Sequence, residues 1–354
     1  MLGRNRGHVT TQGQVVAELL QADGFTVTCV SSQINRFFRL ADVIATLING
    51  HRKFGVLVIE VYSGPGLIIA DVAGRLGKLF NLPQIMVLHG GHLPEFTERH
   101  PRWTKRVLNR AHSLVAPSRF LAEKIGKFGY RIKQIPNVID LEDYPFRERS
   151  RIEPRLIWMR SFHSIYNPEM AVNVLAELRR SLPKATLTMA GVDKGKEGTI
   201  KRMAENLGLS DAVRFPGFLD ATGKAREFAD ADIYLNTNRI DNMPVSVIEA
   251  CAFGLPVIAT CVGGLPFLID HRENGLLVPD EDVTAMTESV KELIDNPALT
   301  RRISLGARRL AERSAWQCVR GDWKELLTGV LLSSPATRAR TLGNKDLAAE
   351  KLKV

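Results

Sequence analysis

Residues 241–264 read DNMPVSVIEACAFGLPVIATCVGG, and they contain the most informative pattern in the sequence. An apolar run of strand type precedes it at residues 231–236, and a second such run lies within it at residues 255–260. Between the two runs, Pro244 suits the first turn of a helix and Gly254 suits its end. The pattern therefore predicts a strand, a loop, a helix and a second strand.

The start of this helix is suited to an anionic ligand. The unpaired backbone N–H groups of its first turn, near Met243, Pro244 and Val245, attract anions through their donors and through the helix dipole. Two carboxylates accompany them, Asp241 in the loop before the helix and Glu249 within it. An ionised carboxylate accepts hydrogen bonds from hydroxyl groups. Anion-binding donors beside hydroxyl-binding acids point to a nucleoside diphosphate sugar, which contains both groups.

The spacing of the two acids resembles the E-x7-E signature of retaining glycosyltransferases of family 4, which have the GT-B architecture. The resemblance implies that Glu249 holds the ribose of the donor nucleotide and that Asp241 holds hydroxyls of the transferred sugar. Asp241 stands where the family has glutamate, which shortens the reach of the carboxylate by one methylene group. The alternative is an ordinary strand, helix, strand unit with a solvated aspartate and a surface glutamate.

The composition suits two α/β domains and an anionic partner. The chain has 354 residues, of which 45% are hydrophobic and 24% charged, and its formal net charge is +10. That length is sufficient for two domains with separate cores. The charge favours a nucleotide, a nucleic acid or an anionic membrane as partner. The four cysteines, at positions 29, 251, 261 and 318, are too scattered for a metal site or a disulfide framework, and we expect no metal cofactor.

The sequence also indicates where in the cell the protein is located. The first residues lack the apolar core of a signal peptide. The most apolar region, residues 56–69, is interrupted by Glu60 and by the turn at residues 64–66, so it does not read as a membrane span. We interpret the protein as cytoplasmic, with peripheral contact on the inner face of the membrane as an option.

The N-terminal half is predicted to form a Rossmann-like domain over residues 1–150 whose first strand is missing. The chain begins directly with a segment that leads into a helix, and residues 25–30 then read as a strand. Either the true start codon lies upstream, which is the hypothesis we favour, or the protein tolerates an exposed sheet position. The resemblance implies that the loop containing Gly13 faces the donor phosphates or the acceptor.

A histidine follows the second buried strand of this half. Residues 64–70 match a relaxed dinucleotide-binding fingerprint, which requires an acidic residue at the end of the next strand. That strand, residues 84–88, ends instead in His89 and two glycines, which argues against an NAD site. His89 is placed to face a cleft at the strand ends, and the resemblance implies that it contacts the donor sugar. A structural histidine is the alternative.

Residues 99–133 are strongly basic, with ten lysines or arginines against one acid, Glu123. Trp103 is interleaved with these charges at helical spacing, so the segment suits either a helix that docks on anionic lipid or a solvated helix that packs Trp103 inward. Nucleic-acid binding is disfavoured because no aromatic platform or known module accompanies the charge.

The second predicted domain covers residues 151–332 and begins with a strand at residues 155–159. Segment 135–140 resembles the interdomain passage of the family and places the hinge near residues 145–155. The last helix, in the resembled architecture, crosses back onto the first domain. Residues 333–354 read as a loose basic tail.

The resemblance implies that Arg160, directly after that strand, contacts the donor diphosphate. The family also has a lysine several residues later, but this chain has Tyr166, Asn167 and Pro168 there. Lys194 and Lys196 are candidates to replace it, because a departing diphosphate requires fixed positive charge.

A further strand near residues 213–218 makes Gly217 and Phe218 candidate neighbours of the nucleobase, as the resemblance implies. Packing explains Phe218 equally well.

Together these patterns predict an α/β protein of GT-B type with two Rossmann-like domains whose parallel sheets face an interdomain cleft. The predicted activity is transfer of a sugar from a nucleoside diphosphate sugar to an unidentified acceptor, which is a glycan, a lipid-linked sugar or a small molecule. Retention at the anomeric carbon follows from the resemblance alone. The alternatives are a sugar-nucleotide epimerase of similar fold and a catalytically silent protein that binds nucleotide sugars.

Overall fold

The computed structural model describes residues 10–333 and divides into two compact units. Within the described range, unit 1 comprises residues 10–138 and 316–333, and unit 2 comprises residues 139–315. The division falls between Val138 and Ile139, some residues before the predicted hinge. The first-strand prediction and the basic tail lie outside the described residues.

From residue 10 onward, unit 1 has two helices followed by alternating strands and helices. Its elements before the chain enters unit 2 are α1 (Gln12–Ala22), α2 (Arg36–Gly50), β1 (Leu57–Val61), α3 (Gly66–Leu79), β2 (Gln84–Leu88), α4 (Leu93–Arg99), α5 (Pro101–Leu108), β3 (Ser113–Ala116), α6 (Arg119–Gly126) and β4 (Ile132–Gln134). The four strands pair in parallel in the order β1-β2-β3-β4.

Unit 2 repeats the alternation. Its elements are β5 (Arg155–Met159), α7 (Pro168–Leu178), β6 (Thr186–Ala190), α8 (Glu197–Asn206), β7 (Val213–Gly217), α9 (Ala221–Asp230), β8 (Ile233–Asn236), α10 (Val245–Ala252), β9 (Val257–Thr260), α11 (Leu265–Leu268), β10 (Leu276–Val278), α12 (Val283–Asp295) and α13 (Pro297–Glu312). Its six strands are parallel in the order β10-β9-β8-β5-β6-β7. The chain then returns to unit 1 as α14 (Trp316–Ser333).

The two parallel sheets confirm the predicted α/β class, and the sequence pattern explains them. Successive residues of a strand point to opposite faces of the sheet. In β2, for example, the neighbouring residues Ile85 and Met86 belong to different core clusters. Both faces of each sheet are covered, which is why the strands read as continuous apolar runs. Strands β2, β8 and β9 are buried throughout.

One predicted strand is wrong. Residues 25–30 form no strand beyond an isolated bridge at Thr26. A strand needs a ladder partner, and within the described chain these residues pair with neither edge strand of the four-stranded sheet, β1 or β4. The apolar side chains of this segment contribute to packing and not to a sheet: Phe25 and Val27 pack against the core that α1 and α14 share.

A buried arginine fixes the helix that begins at the predicted anion site. Arg149 is 2% exposed, and its guanidinium donates to the carbonyl oxygens of Phe228, Ala231 and Phe253 at 2.9, 3.0 and 2.5 Å. These carbonyls lie at the C-terminal ends of α9 and α10, where helices leave acceptors unpaired and carry partial negative charge. Burial lowers the pKa of Arg149 to about 9, and the nearby charge of Arg147 acts in the same direction.

The two chain segments that connect the units run side by side at the edge of unit 2. Ile139 forms a parallel bridge with Ala315, and the Ile139 N–H donates to the carbonyl oxygen of Ser314 at 3.0 Å. Unit 2 is therefore a continuous insertion whose first and last residues are neighbours.

Candidate functional site

The strand order of unit 2 creates a switch point between β5 and β8. From β5 the chain proceeds to β6 and β7 on one side, then crosses to β8, β9 and β10 on the other. In open parallel sheets, ligands bind beyond the carboxyl ends of the strands at such a point. Arg160 directly follows β5, and Asn238 and Asp241 follow β8, so the topology brings these three residues together.

Arg160 makes a short ion pair with Asp241. The distance from its Nη2 to Asp241 Oδ2 is 2.6 Å, and both side chains are 15% exposed. The Nη1 atom donates to Ser246 Oγ at 3.3 Å, and the guanidinium lies 4.1 Å from the ring centre of Tyr166. Burial by itself would lower the pKa of Arg160, but Asp241, Tyr166 and Tyr234 together outweigh it and raise the pKa. Arg160 is therefore a permanent cation at the switch point.

Asp241 is held through both of its carboxylate oxygens. Its Oδ2 also accepts from Asn238 Nδ2 at 2.6 Å, and its Oδ1 accepts from the Asn242 N–H at 2.8 Å. The loop itself is braced by two glycines, because a Cβ on Gly263 would lie 2.1 Å from the Asp241 carbonyl oxygen and one on Gly264 would lie 1.8 Å from that of Asn242.

Two buried polar atoms at this place have no hydrogen-bond partner within residues 10–333. They are Arg160 Nε, a donor, and Asn238 Oδ1, an acceptor. Buried polar atoms in proteins are nearly always satisfied by protein, water or ligand. The pair of orphaned atoms is consistent with a polar ligand at this end of the sheet.

Helix α10 begins as the sequence predicts. Pro244 is its N-cap residue and Val245 its first residue, and the Pro244 carbonyl accepts from Val247 and Ile248. The N–H groups of Val245 and Ser246 precede the first intrahelical bonds. The side chain of Met243 packs into the core of unit 2.

Glu249 is 6% exposed and lies between two residues that the sequence reasoning missed. Its Oε1 accepts from Lys224 Nζ at 2.5 Å and from the Tyr144 hydroxyl at 3.2 Å. Burial and the charge of Glu249 raise the pKa of Tyr144, so its phenol remains a donor. Both of these hydrogen bonds fall on the same carboxylate oxygen. Neither Lys224 nor Tyr144 belongs to a recognisable local motif. Each contacts Glu249 only because the chain folds, so the sequence alone did not identify them.

The two candidate phosphate lysines differ. Lys196 Nζ lies 2.7 Å from Glu169 Oε1, so its charge is already balanced. Lys194 is exposed, and no ion pair of its ammonium occurs within the part of the chain that the structure describes. The ring of Tyr166 stacks on Arg160 near the place where the family has its lysine.

Gly217 ends β7 with a φ of 75°, and its carbonyl oxygen accepts from the Gly191 N–H at 2.9 Å. Phe218 follows with 40% of its surface exposed, so its ring is not a core residue. Gly191 in turn lies against Arg160, because a Cβ there would be 1.9 Å from the Arg160 carbonyl oxygen.

In unit 1, His89 directly follows β2 and lies beside a carboxylate. Its Nε2 contacts Oε2 of Glu60 on β1, and its ring stacks on Tyr62 with centres 4.9 Å apart. Gly13 lies against the same carboxylate, since a Cβ there would be 2.7 Å from Glu60 Oε1. Gly13, Glu60 and His89 line one pocket, whose other walls are largely apolar.

The basic segment of residues 99–133 places its tryptophan inward. Trp103 Nε1 donates to Asp71 Oδ2 at 3.0 Å, and Arg106 and Arg110 also bind this carboxylate. Burial would raise the pKa of Asp71, but the bonds from Arg75, Arg110 and Trp103 lower it to about 2. Part of the positive charge of this segment is therefore neutralised by Asp71 within unit 1.

Two negative findings apply to residues 10–333. No helix there combines the length and apolar character needed to cross a bilayer. No group of three or more histidine, cysteine or acidic side chains there is arranged to hold a metal ion.

Known proteins resemble this chain in sequence over part of its length. Residues 145–310 match the family model described as Glycosyl transferases group 1. The chain is 26% identical over 271 residues to the glycogen synthase of Mycobacterium tuberculosis, covering 71% of this chain and 64% of that protein. It is 26% identical over 299 residues to the D-inositol 3-phosphate glycosyltransferase of Paenarthrobacter aurescens, covering 78% of this chain and 72% of that protein.

A solved structure shares the fold. The crystal structure of HepE from Anabaena in complex with UDP superposes with a TM-score of 0.68 at 20% identity, covering 82% of each chain. The fold is therefore GT-B. Together with the family match, the similarities support a glycosyltransferase and do not favour the epimerase or the silent binding protein.

Proposed function

We propose that this protein transfers a glycosyl group from a nucleoside diphosphate sugar to an acceptor hydroxyl, with retention of anomeric configuration. The observation that carries the proposal is the Arg160–Asp241 pair, at 2.6 Å, beside the N-terminus of α10 at the switch point of unit 2. A cation, a hydroxyl-binding carboxylate and free helix N–H groups are the three recognition elements that such a donor requires.

The donor's parts are assigned as follows. The diphosphate binds the N–H groups near Met243, Pro244 and Val245 together with Arg160. Asp241 accepts hydroxyls of the transferred sugar.

The nucleoside takes the remaining groups of unit 2. Oε2 of Glu249 receives the ribose hydroxyls, because Lys224 and Tyr144 already hold the other oxygen. The exposed ring of Phe218, next to Gly217, offers a surface for the base.

Unit 1 contributes two of the predicted contacts. The contact with Glu60 orients the imidazole of His89, which we assign to the donor sugar. Gly13 lies against Glu60, and its lack of a side chain leaves that carboxylate accessible to donor or acceptor.

Retention is assigned to a same-face displacement without a covalent enzyme intermediate. The Asp241 carboxylate accepts bonds from Arg160, Asn238 and Asn242, which reduces its nucleophilicity. In the proposed step the bond from the anomeric carbon to the phosphate oxygen breaks and a bond to the acceptor oxygen forms on the same face. The proton of the acceptor hydroxyl passes to the leaving phosphate. Arg160 and the helix N–H groups stabilise the charge that develops there.

The acceptor class stays open among a glycan, a lipid-linked sugar and a small molecule. The two relatives differ in it, since one is named for glycogen and the other for inositol phosphate. The chain spans 64% of the mycobacterial glycogen synthase, and acceptor-binding loops vary most between related enzymes.

A ligand screen followed by one matched pair of variants tests the proposal. UDP, GDP and ADP, with and without an attached hexose, are added to the protein, and the melting temperature is recorded. A ligand at a hundred times its dissociation constant adds about 2.7 kcal/mol of stability. Glu249→Gln should abolish both the shift and donor turnover, whereas Glu205→Gln, an exposed residue on α8, should preserve both. No shift with any nucleotide, or equal behaviour of the two variants, contradicts the proposal.

A further inference from the structure

The N-terminal end of α2 presents three large apolar side chains to solvent. Ile34, Phe37 and Phe38 are 63%, 71% and 66% exposed, and the other side chain of comparable exposure in the described chain, Leu79, lies alone at the end of α3. Adjacent exposed phenylalanines are costly on the surface of a protein unless they meet a partner. This group of three is hereafter the α2 tip.

The α2 tip is held in one conformation by polar contacts. The Asn35 side chain accepts from the N–H groups of Phe37 and Phe38 at 2.8 and 3.4 Å, which caps the helix. Arg39 reaches back and donates to the carbonyl oxygens of Gln33 and Ile34 at 3.0 and 2.9 Å. The apolar side chains therefore project from a fixed framework, and little ordering remains to oppose their burial in a partner.

The charge around the α2 tip is positive. Residues 24–41 contain no aspartate or glutamate, and Arg36 and Arg39 flank the phenylalanines. The guanidinium of Arg36 is exposed and lies 5.4 Å from the ring centre of Phe37. Aromatic residues beside arginines on an acid-free segment are complementary to an anionic lipid surface.

The area of the α2 tip is too small for a stable protein partner. An aromatic side chain offers 150–250 Å², so the three side chains together expose on the order of 400 Å². A specific protein interface needs roughly 800 Å² from each partner. A lipid surface sets no such minimum area, because the strength of peripheral attachment scales with the buried apolar area and adds to the attraction between cations and anionic lipids.

We propose that the α2 tip docks this protein onto anionic membranes, with Phe37 and Phe38 entering the interface and Arg36 contacting lipid phosphates. This surface is separate from Trp103, which packs inward against Asp71. The proposal does not rest on the glycosyltransferase activity, since lipid binding is measured without donor or acceptor.

Co-sedimentation of the full chain with vesicles tests the proposal. Vesicles of phosphatidylcholine with an equal part of phosphatidylglycerol should bind the protein, and vesicles of phosphatidylcholine alone should bind it weakly. The double substitution Phe37→Ser, Phe38→Ser should reduce binding by about tenfold for each phenylalanine. Arg36→Gln should weaken binding to the anionic vesicles at low salt and have less effect at high salt.

Leu79→Ser is the matched control, because Leu79 is 70% exposed at another place. It should leave vesicle binding unchanged, and equal melting temperatures should show that all variants fold. Unchanged binding of the Phe37→Ser, Phe38→Ser variant to anionic vesicles overturns the proposal. So does lipid-free self-association of the native chain that this variant abolishes, since the tip would then join two copies of the protein.

Discussion

Arg160 and Asp241 neutralise each other, and this balance determines how the site can recognise an anion. The second acid is balanced in the same way, because Lys224 pairs with Glu249. An incoming diphosphate therefore meets no net charge from these four side chains. The diphosphate must therefore be bound by hydrogen-bond donors that point at it. The helix N–H groups and the orientation of the Arg160 guanidinium contribute more to this binding than the overall charge of the chain.

Replacing Arg160 by glutamine should lower kcat about 10²–10³-fold, the usual loss when one donor to a developing oxyanion is removed. The donor KM should change less, because the helix N–H groups remain. Steady-state kinetics with the donor identified by the ligand screen measures both constants. Arg179→Gln is the control, since Arg179 pairs with a different residue, Asp211, at 2.9 Å. Equal kcat values for the two variants would remove Arg160 from the mechanism.

Lys194 is the better candidate of the two lysines for a contact with the donor. Lys196 is engaged by Glu169 at 2.7 Å, whereas the ammonium of Lys194 is exposed. We expect Lys194→Ala to raise the donor KM several-fold, about the effect of one lost charge-assisted hydrogen bond, and Lys196→Ala to do so less. If neither variant changes KM or kcat, neither lysine replaces the one that the family has.

At the scale of elements, the loop before α10 depends on its contact with Gly263 and Gly264. The Cβ of Gly264→Ala would lie 1.8 Å from the Asn242 carbonyl oxygen, so the loop that carries Asp241 must move. We expect a loss of about 1–3 kcal/mol in the free energy of unfolding and a marked loss of activity. Urea unfolding and a transfer assay measure these effects.

Gly198→Ala is the control for this substitution. Gly198 lies in α8, where a Cβ meets nothing closer than 4.0 Å. Alanine there should be stabilising by about 0.5–1 kcal/mol because it restricts the unfolded chain. The same stability and activity in both variants would show that the loop does not depend on the glycine pair.

Asp71 links α3 to α5 through its hydrogen bonds. We expect this carboxylate to make the stability of unit 1 sensitive to acid. Its pKa in the folded protein is about 2, below the ordinary 3.8. As the pH falls, the unfolded chain takes up this proton first, so the stabilisation is complete above about pH 4 and is lost as the pH falls toward 2. The amount is about 2 kcal/mol. Asp71→Asn should lower stability at neutral pH and flatten this acid dependence, whereas Glu98→Gln should do neither. Thermal unfolding between pH 2 and 7 would contradict the prediction if all three curves were parallel.

The elements were more predictable than the contacts of the site. Strands β2 and β5 and the start of α10 were predicted at their observed bounds, because long apolar runs and a proline at a helix start are local signals. The resemblance also assigned Arg160 and Asp241 to the same donor, but the sequence did not predict their ion pair.

Other features depended on distant parts of the chain. Lys224 and Tyr144 contact Glu249 although they are distant from it in the sequence, and no pattern of residue spacing predicts such a contact. The polar run after β8, which contains Asn238, was a usable signal that the prediction overlooked. Residues 25–30 had strand composition, but their apolar side chains cover a core instead.

At the scale of the whole molecule, two units with separate cores predict two unfolding transitions. Arg149→Met leaves carbonyl groups at the ends of α9 and α10 unpaired, which should cost about 3 kcal/mol and lower one transition by about 6–12 °C. Asp71→Asn should lower the other. Differential scanning calorimetry tests both, and a single transition that both variants lower equally would contradict the prediction.

The bridge between Ile139 and Ala315 has a consequence for protein engineering. Because the first and last residues of unit 2 are neighbours, residues 139–315 can be exchanged as a cassette between homologous chains without leaving a gap in the host. Grafting foreign cassettes into one host would separate the contribution of each half to substrate choice by simple recombination.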